Sequence, residues 1–347
     1  MIRSVSLLKI IFTLCLALSW VATGAWAEDA KSNADPDSLI LTFLGTGAPR
    51  PSFERYGPSI LVEAGERKLI VDAGSGMRER LFEAGGFPLL TSVDTFLITH
   101  LHFDHTISVP GLWLSGWLYG RRVPMTVYGP AGTSEMMSHL RKAYEWDIDY
   151  RGIVGVPLQG SKLISTDVNA DEVIRLGDMK ITAIAVEHMP IDVNTGEKLG
   201  LRGATLGYRI DYKGRSVVFS GDTRSTAESA LIRYGKDVDV LIHEVQVPSP
   251  GNSKEAKLAN VSLSVHSTPK QTAFIFSKTK PGLAVYSHII PPGTSKQDLV
   301  DATRPFYDGP LEVANDLMRI TVGEEIKIET LAPAEQVSFE KSSVLAK

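Results

Sequence analysis

The chain has 347 residues, 43% of them hydrophobic and 22% charged, with a formal net charge of −4. That balance is globular, long enough for one large layered domain or two smaller ones, and it excludes gross disorder. A mildly acidic chain is a poor candidate for holding nucleic acid on a basic face.

The N-terminus reads as an export signal. Arg3 and Lys9 precede the apolar run Ile10 to Val21, and Ala25-Trp26-Ala27 places small residues at −3 and −1 before Glu28. The run is too short to span a bilayer comfortably, so residues 1–27 are expected to be a cleaved signal peptide and the protein to be exported, periplasmic or secreted. The single cysteine, Cys15, leaves with that leader. A mature chain without thiols has no disulfide, no thiolate zinc site and no cysteine nucleophile.

Residues 28–38 are polar without an apolar period and are expected to form a disordered lead-in. Strands are then predicted at Leu39 to Leu44, Ser59 to Glu63, Lys68 to Val71 and Thr95 to Ile98, followed by helices at about Leu112 to Tyr119 and Thr133 to Tyr144. The order repeats in the second half. Strands fall near Lys180 to Val186, Thr205 to Asp211, Ser216 to Ser220 and Val238 to Ile242; a helix from Pro269 to about Lys278 and a strand from Leu283 to Tyr286 follow. Clustered strands with helices between them imply sheets covered by helices. The domain is expected over residues 39–330, with a weakly patterned tail at 331–347.

The chemistry starts at His100-Leu101-His102-Phe103-Asp104-His105, just after the apolar strand Phe96-Leu97-Ile98. Two histidines at i and i+2 project to one side of an extended segment and can share an ion. Asp104 and His105, beyond the turn, suit a second one. Imidazoles and carboxylates without thiolate favour zinc, with manganese or iron as alternatives. Further metal-competent residues follow apolar strands: His188, Asp222, His243 and His288. His139, in a helix with charged neighbours, reads as a surface residue.

These motifs, with Ser220-Gly221-Asp222-Thr223, Ser287-His288 and Val71-Asp72-Ala73-Gly74, resemble those of the metallo-β-lactamase superfamily over about Leu39 to Val322. The resemblance implies an α/β fold, the four-layer αββα sandwich, with metals at one sheet edge. It also implies one ion on His100, His102 and His188, a second on Asp104, His105 and His288, and Asp222 bridging them. Asp72 would support a ligand from behind.

Phe43-Leu44-Gly45-Thr46-Gly47-Ala48-Pro49, His243-Glu244 and His266-Ser267-Thr268-Pro269 are similar to the ribonuclease Z branch, where the last histidine, held by the glutamate, serves the leaving group. That implies His266 as proton donor and Glu244 as its support, with Asp104 orienting the nucleophile. Thr268, Pro269 and Gln271 also read as a capped helix start, which gives the His266 segment a purely structural alternative. No glycine- and proline-rich basic arm is present between Tyr150 and Leu176. Gly111 to Trp117, Tyr128 to Thr133, Tyr307 to Leu311 and Asp316 to Ile320 look more like secreted arylsulfatase-like (type III sulfatase) members.

The expected function is therefore an exported dinuclear-zinc hydrolase of aryl sulfate esters, attacking through a hydroxide between the two ions. The alternative is a ribonuclease Z-type phosphodiesterase; a lactonase or a non-catalytic binding protein ranks lower. The expected partner is a small-molecule ester, with neither nucleic acid nor, after leader removal, a membrane; a homodimer stays open. Trp113 and Trp117, at i and i+4, read either as core or as the wall of an aryl pocket.

Overall fold

A computed structural model describes residues 35–188 and 205–332. The expected leader lies outside the described residues, as does the tail from residue 333 onward.

A first sheet begins with β1 (Leu39–Gly45), β2 (Ser59–Ala64), β3 (Arg67–Val71), β4 (Thr95–Leu97), β5 (Met125–Gly129) and β6 (Leu163–Asp167). The chain then builds a second sheet from β7 (Val173–Leu176), β8 (Met179–Val186), β9 (Thr205–Tyr212), β10 (Arg215–Phe219), β11 (Val240–Gln246), β12 (Leu283–Ile290) and β13 (Leu311–Val313). It returns to the first through β14 (Met318–Val322) and β15 (Ile326–Thr330). The spatial orders are β15-β14-β1-β2-β3-β4-β5-β6 and β13-β12-β11-β10-β9-β8-β7.

Strand alternation explains the layering. Leu69 and Val71 of β3 point between the sheets, where they meet Val217 and Phe219 of β10. The residues between them point outward: Ile70 packs with Met77, Trp113 and Trp117, and Val218 packs with Leu231, Ala273 and Phe276. Both faces of each sheet are thus apolar, as a sheet sandwiched between another sheet and a helix layer requires. Helices Met77–Ser92 and Val109–Tyr119 cover the first sheet, and Pro269–Thr279 covers the second. This is the mixed α/β, αββα arrangement.

Two expectations change. Residues 36–38, expected in the lead-in, pack on the domain: Tyr212 Oη donates to the Pro36 carbonyl at 3.0 Å, Asp37 pairs with Lys213 at 2.5 Å, and Ser38 is buried. His243 and His288 lie inside β11 and β12 rather than beyond them, because pairing of these parallel strands continues to Gln246 and Ile290 across an irregularity between His243 and Val245. Among the described residues no helix is long and apolar enough to cross a membrane.

Candidate metal centre

Asp72, His100 to His105, His188 and Asp222 lie just past the C-terminal ends of β3, β4, β8 and β10. β3 and β4 run parallel, as do β10, β11 and β12, so several of these tips and the His288 segment of β12 open on one edge. Glycine makes the approach possible. A Cβ on Gly74 would lie 2.3 Å from the Gly57 carbonyl carbon, so the turn after Asp72 could not sit against the loop before β2 with a larger residue.

The seven expected ligands converge. His100 Nε2 is 2.9 Å from His102 Nδ1, and His188 Nε2 is 3.3 Å from the same atom. Asp104, His105 and His288 form a second group, with both imidazole Nε2 atoms 3.6 Å from Asp104 Oδ2. Asp222 stands between the groups. Its Oδ2 lies 3.7 Å and 3.8 Å from Nε2 of His100 and His188 on one side. On the other it lies 3.4 Å and 3.3 Å from Nε2 of His105 and His288.

Hydrogen bonds behind the rings fix which nitrogen faces inward. Asp72, in a left-handed backbone conformation (φ 59°), faces His105 Nδ1 at 2.9 Å. It also accepts from the Thr99 amide and hydroxyl. A hydroxyl that donates to a carboxylate is free to accept, so Thr99 Oγ1 takes the Nδ1 proton of His100 at 3.0 Å. His188 Nδ1 donates to the Val265 carbonyl at 2.9 Å. Each of these three rings therefore presents an Nε2 lone pair to the centre, the arrangement a metal-binding histidine needs.

The donor set fits a divalent metal. Asp104 Oδ2, Asp222 Oδ1 and Nε2 of both His105 and His288 are buried without a hydrogen-bond partner, a costly state that an ion relieves. Burial pushes Asp222 toward neutrality, but His288, His105 and His100 outweigh it and hold the carboxyl well below the usual range. Asp104 is lowered in the same way by His288 and His105 against its burial. Both carboxylates are thus charged and ready to ligate.

His266 joins the same centre. Its ring centroid lies 4.7 Å from that of His188 and 5.7 Å from that of His288, and its Nδ1 is 3.4 Å from Glu244 Oε2. Burial lowers its basicity, but Glu244 and Asp222 prevail and raise the pKa to about 9. Glu244 is itself fixed, its Oε1 accepting from the Ser267 and Thr223 amides at 2.8 Å and 3.3 Å. The capping box forms as well, with Thr268 and Gln271 bonded reciprocally. The capped helix start and the placement of His266 beside Glu244 are therefore compatible within one segment.

His243 stays outside the ligand groups. Its ring is fully buried, with Nε2 2.8 Å from Ser225 Oγ and Nδ1 donating to the Glu244 carbonyl at 2.7 Å. His139 is exposed beside Glu135. Trp113 and Trp117 form core and no aryl pocket: both are fully buried, and their indole N–H groups donate to the Ser161 and Pro157 carbonyls. Thr99 and the Val265 carbonyl were not foreseen. Thr99 precedes the histidine motif and could have been suspected from that; a backbone carbonyl leaves no mark in a sequence.

A family model described as the β-lactamase superfamily domain matches residues 67–289. The chain belongs to the metallo-β-lactamase superfamily. This superfamily hydrolase is 30% identical over 292 residues to a ribonuclease Z of Mycobacterium bovis (strain BCG / Pasteur 1173P2), covering 82% of this chain and 98% of the relative. A ribonuclease Z of Mycobacterium tuberculosis (strain ATCC 25618 / H37Rv) is 30% identical over 289 residues, with the same coverage. The fold is also that of the metallo-β-lactamase fold protein YhfI from Bacillus subtilis, at a TM-score of 0.62, 18% identity and coverage of 82% and 100% of the two chains. The short form of human tRNase Z matches at 0.58 and 20%, with coverage of 82% and 99%. The chain is thus a metal-dependent hydrolase with ribonuclease Z-like homologues.

Proposed function

We propose that this chain is a dinuclear-zinc phosphodiesterase whose chemistry is that of its ribonuclease Z relatives. The observation that carries the reading is Asp222 Oδ2, set 3.3–3.8 Å from imidazole nitrogens of both ligand groups. One carboxylate oxygen facing two sets of donors is what two neighbouring ions need. When bound, such ions supply Lewis acidity and a water of near-neutral pKa.

The chain's own groups supply the rest. Asp104, whose Oδ2 lies within reach of His105 and His288, orients the attacking water. His266, protonated against Glu244, gives its proton to the departing oxygen, and Glu244 is kept in place by two backbone amides. An alkyl phosphoric diester leaves an alkoxide, which needs that proton.

Phosphoric esters replace aryl sulfates as the favoured substrates. The relatives with high coverage bear ribonuclease Z names, and the tryptophans once available for an aryl pocket are core. The net charge of −4 favours a diester of modest size over a large structured RNA. The reading includes export directed by residues 1–27.

A hydrolysis panel on the zinc-reconstituted chain tests this: an aryl phosphodiester, an aryl sulfate, a lactone, a β-lactam and a precursor tRNA. The phosphodiester is expected to give the highest kcat/KM. Faster turnover of the aryl sulfate would restore the sulfatase reading, and faster turnover of precursor tRNA would return the chain to RNA processing.

A further inference from the structure

Two motifs from opposite ends of the chain, Gly45-Thr46-Gly47 and Asp316-Leu317-Met318, meet in one buried cluster. Asp316 accepts from the Thr46 amide at 3.0 Å, the Thr46 hydroxyl at 2.8 Å and the Tyr56 amide at 2.8 Å. Arg55, only 8% exposed, donates to Thr46 Oγ1 at 2.8 Å, to the Ala314 carbonyl at 2.5 Å and to Asn315 Oδ1 at 2.9 Å.

What this cluster holds is the backbone on either side of His288. The Ala314 amide donates to the Tyr286 carbonyl at 2.9 Å, and the Thr46 carbonyl accepts from the Ile289 amide at 2.9 Å. Between those two anchors His288 adopts φ 44°, a left-handed conformation that residues with a Cβ rarely take and that persists only where the surroundings enforce it. Arg55 bonds to both anchoring residues, and Asp316 fixes the Thr46 end.

We propose that Asp316 and Arg55 are positioning residues for the metal ligand His288. They clamp Thr46 to the Ala314 turn, which keeps the backbone of His288 left-handed and its imidazole in the group with Asp104 and His105. Without the clamp the backbone relaxes toward an ordinary conformation and that group loses a donor. The ion on His100, His102 and His188 has no stake in it. The effect is on metal affinity and holds whichever ester the centre cleaves.

Zinc titration of the metal-stripped full chain against a chromophoric chelator reads the two affinities separately. Asp316→Ala is expected to weaken one ion by about tenfold or more, the scale of losing a partner that orients a ligand, and to leave the other within about twofold. In a His102→Ala background the weakened ion identifies itself as the one on Asp104, His105 and His288. Asp316→Asn keeps an oxygen for Thr46 but offers the Tyr56 amide no second acceptor, so it should restore part of the affinity. Arg55→Met, which removes the single guanidinium nitrogen that bonds both anchors, should show the same one-sided loss and serves if Asp316→Ala does not fold. Equal weakening of both ions, as general loosening would produce, or unchanged affinity for both, overturns the proposal.

Discussion

His266 is a residue whose role can be separated from that of its neighbours. As a proton donor to the leaving oxygen it matters most for poor leaving groups, because a nitrophenolate departs unaided and an alkoxide does not. His266→Ala should therefore cost about 10²–10⁴ in kcat/KM for alkyl or unsubstituted phenyl esters and far less for nitrophenyl ones, at unchanged zinc content. Parallel losses across a substituted aryl series would remove it as the acid. The pH dependence has a definite sign. The acid form exists below a pKa raised to about 9, and neighbouring divalent ions repel the imidazolium and lower that value. Activity toward poor leaving groups should thus fall as pH rises through a limb at or below pH 9, and His266→Ala should lose that limb. A limb that survives in the variant would belong to another group.

At the scale of elements, the helix Pro269–Thr279 starts where its sequence says it should. Thr268 accepts from the Gln271 amide, and its own amide donates to the Gln271 side chain. Thr268→Ala should cost about 1 kcal/mol in urea unfolding, with zinc content unchanged; a loss of metal instead would mean that the cap also holds His266 in place. The strands foreseen are those with dense apolar patterns, such as β1, β3 and β10. The edge strands β6 and β7 were not: they are only five and four residues long, and none of their residues is buried, so neither shows the alternation of a strand with one face in the core. The helix Met77–Ser92 was hidden by its own breakers: Pro88 lies within it, and Gly85 and Gly86 depart from helical geometry. The His243 and His288 strands ran past their expected ends because parallel pairing carries buried polar residues that a hydrophobic pattern does not reach.

At the scale of the molecule, the apolar runs before His100, His188, Asp222 and His288 mark strand ends that a layered fold brings to one edge, but the same rule also offered His243, and the division of the residues into two groups came from family resemblance. The clamp around His288 was not legible as a clamp. Asp316 and Thr46 are 270 residues apart, and nothing in either motif says that they touch. Glu244 and His266 stood between: their pairing came from family resemblance, and only the folded chain shows two amides holding the carboxylate. The central claim is a two-ion centre divided between His100, His102 and His188 on one side and Asp104, His105 and His288 on the other. Zinc per chain, measured on purified wild type and on His102→Ala by elemental analysis, tests it most directly. About two ions are expected in the wild type and about one in the variant, from the ligand numbers that zinc requires; a single ion in the wild type, or two retained without His102, would contradict it.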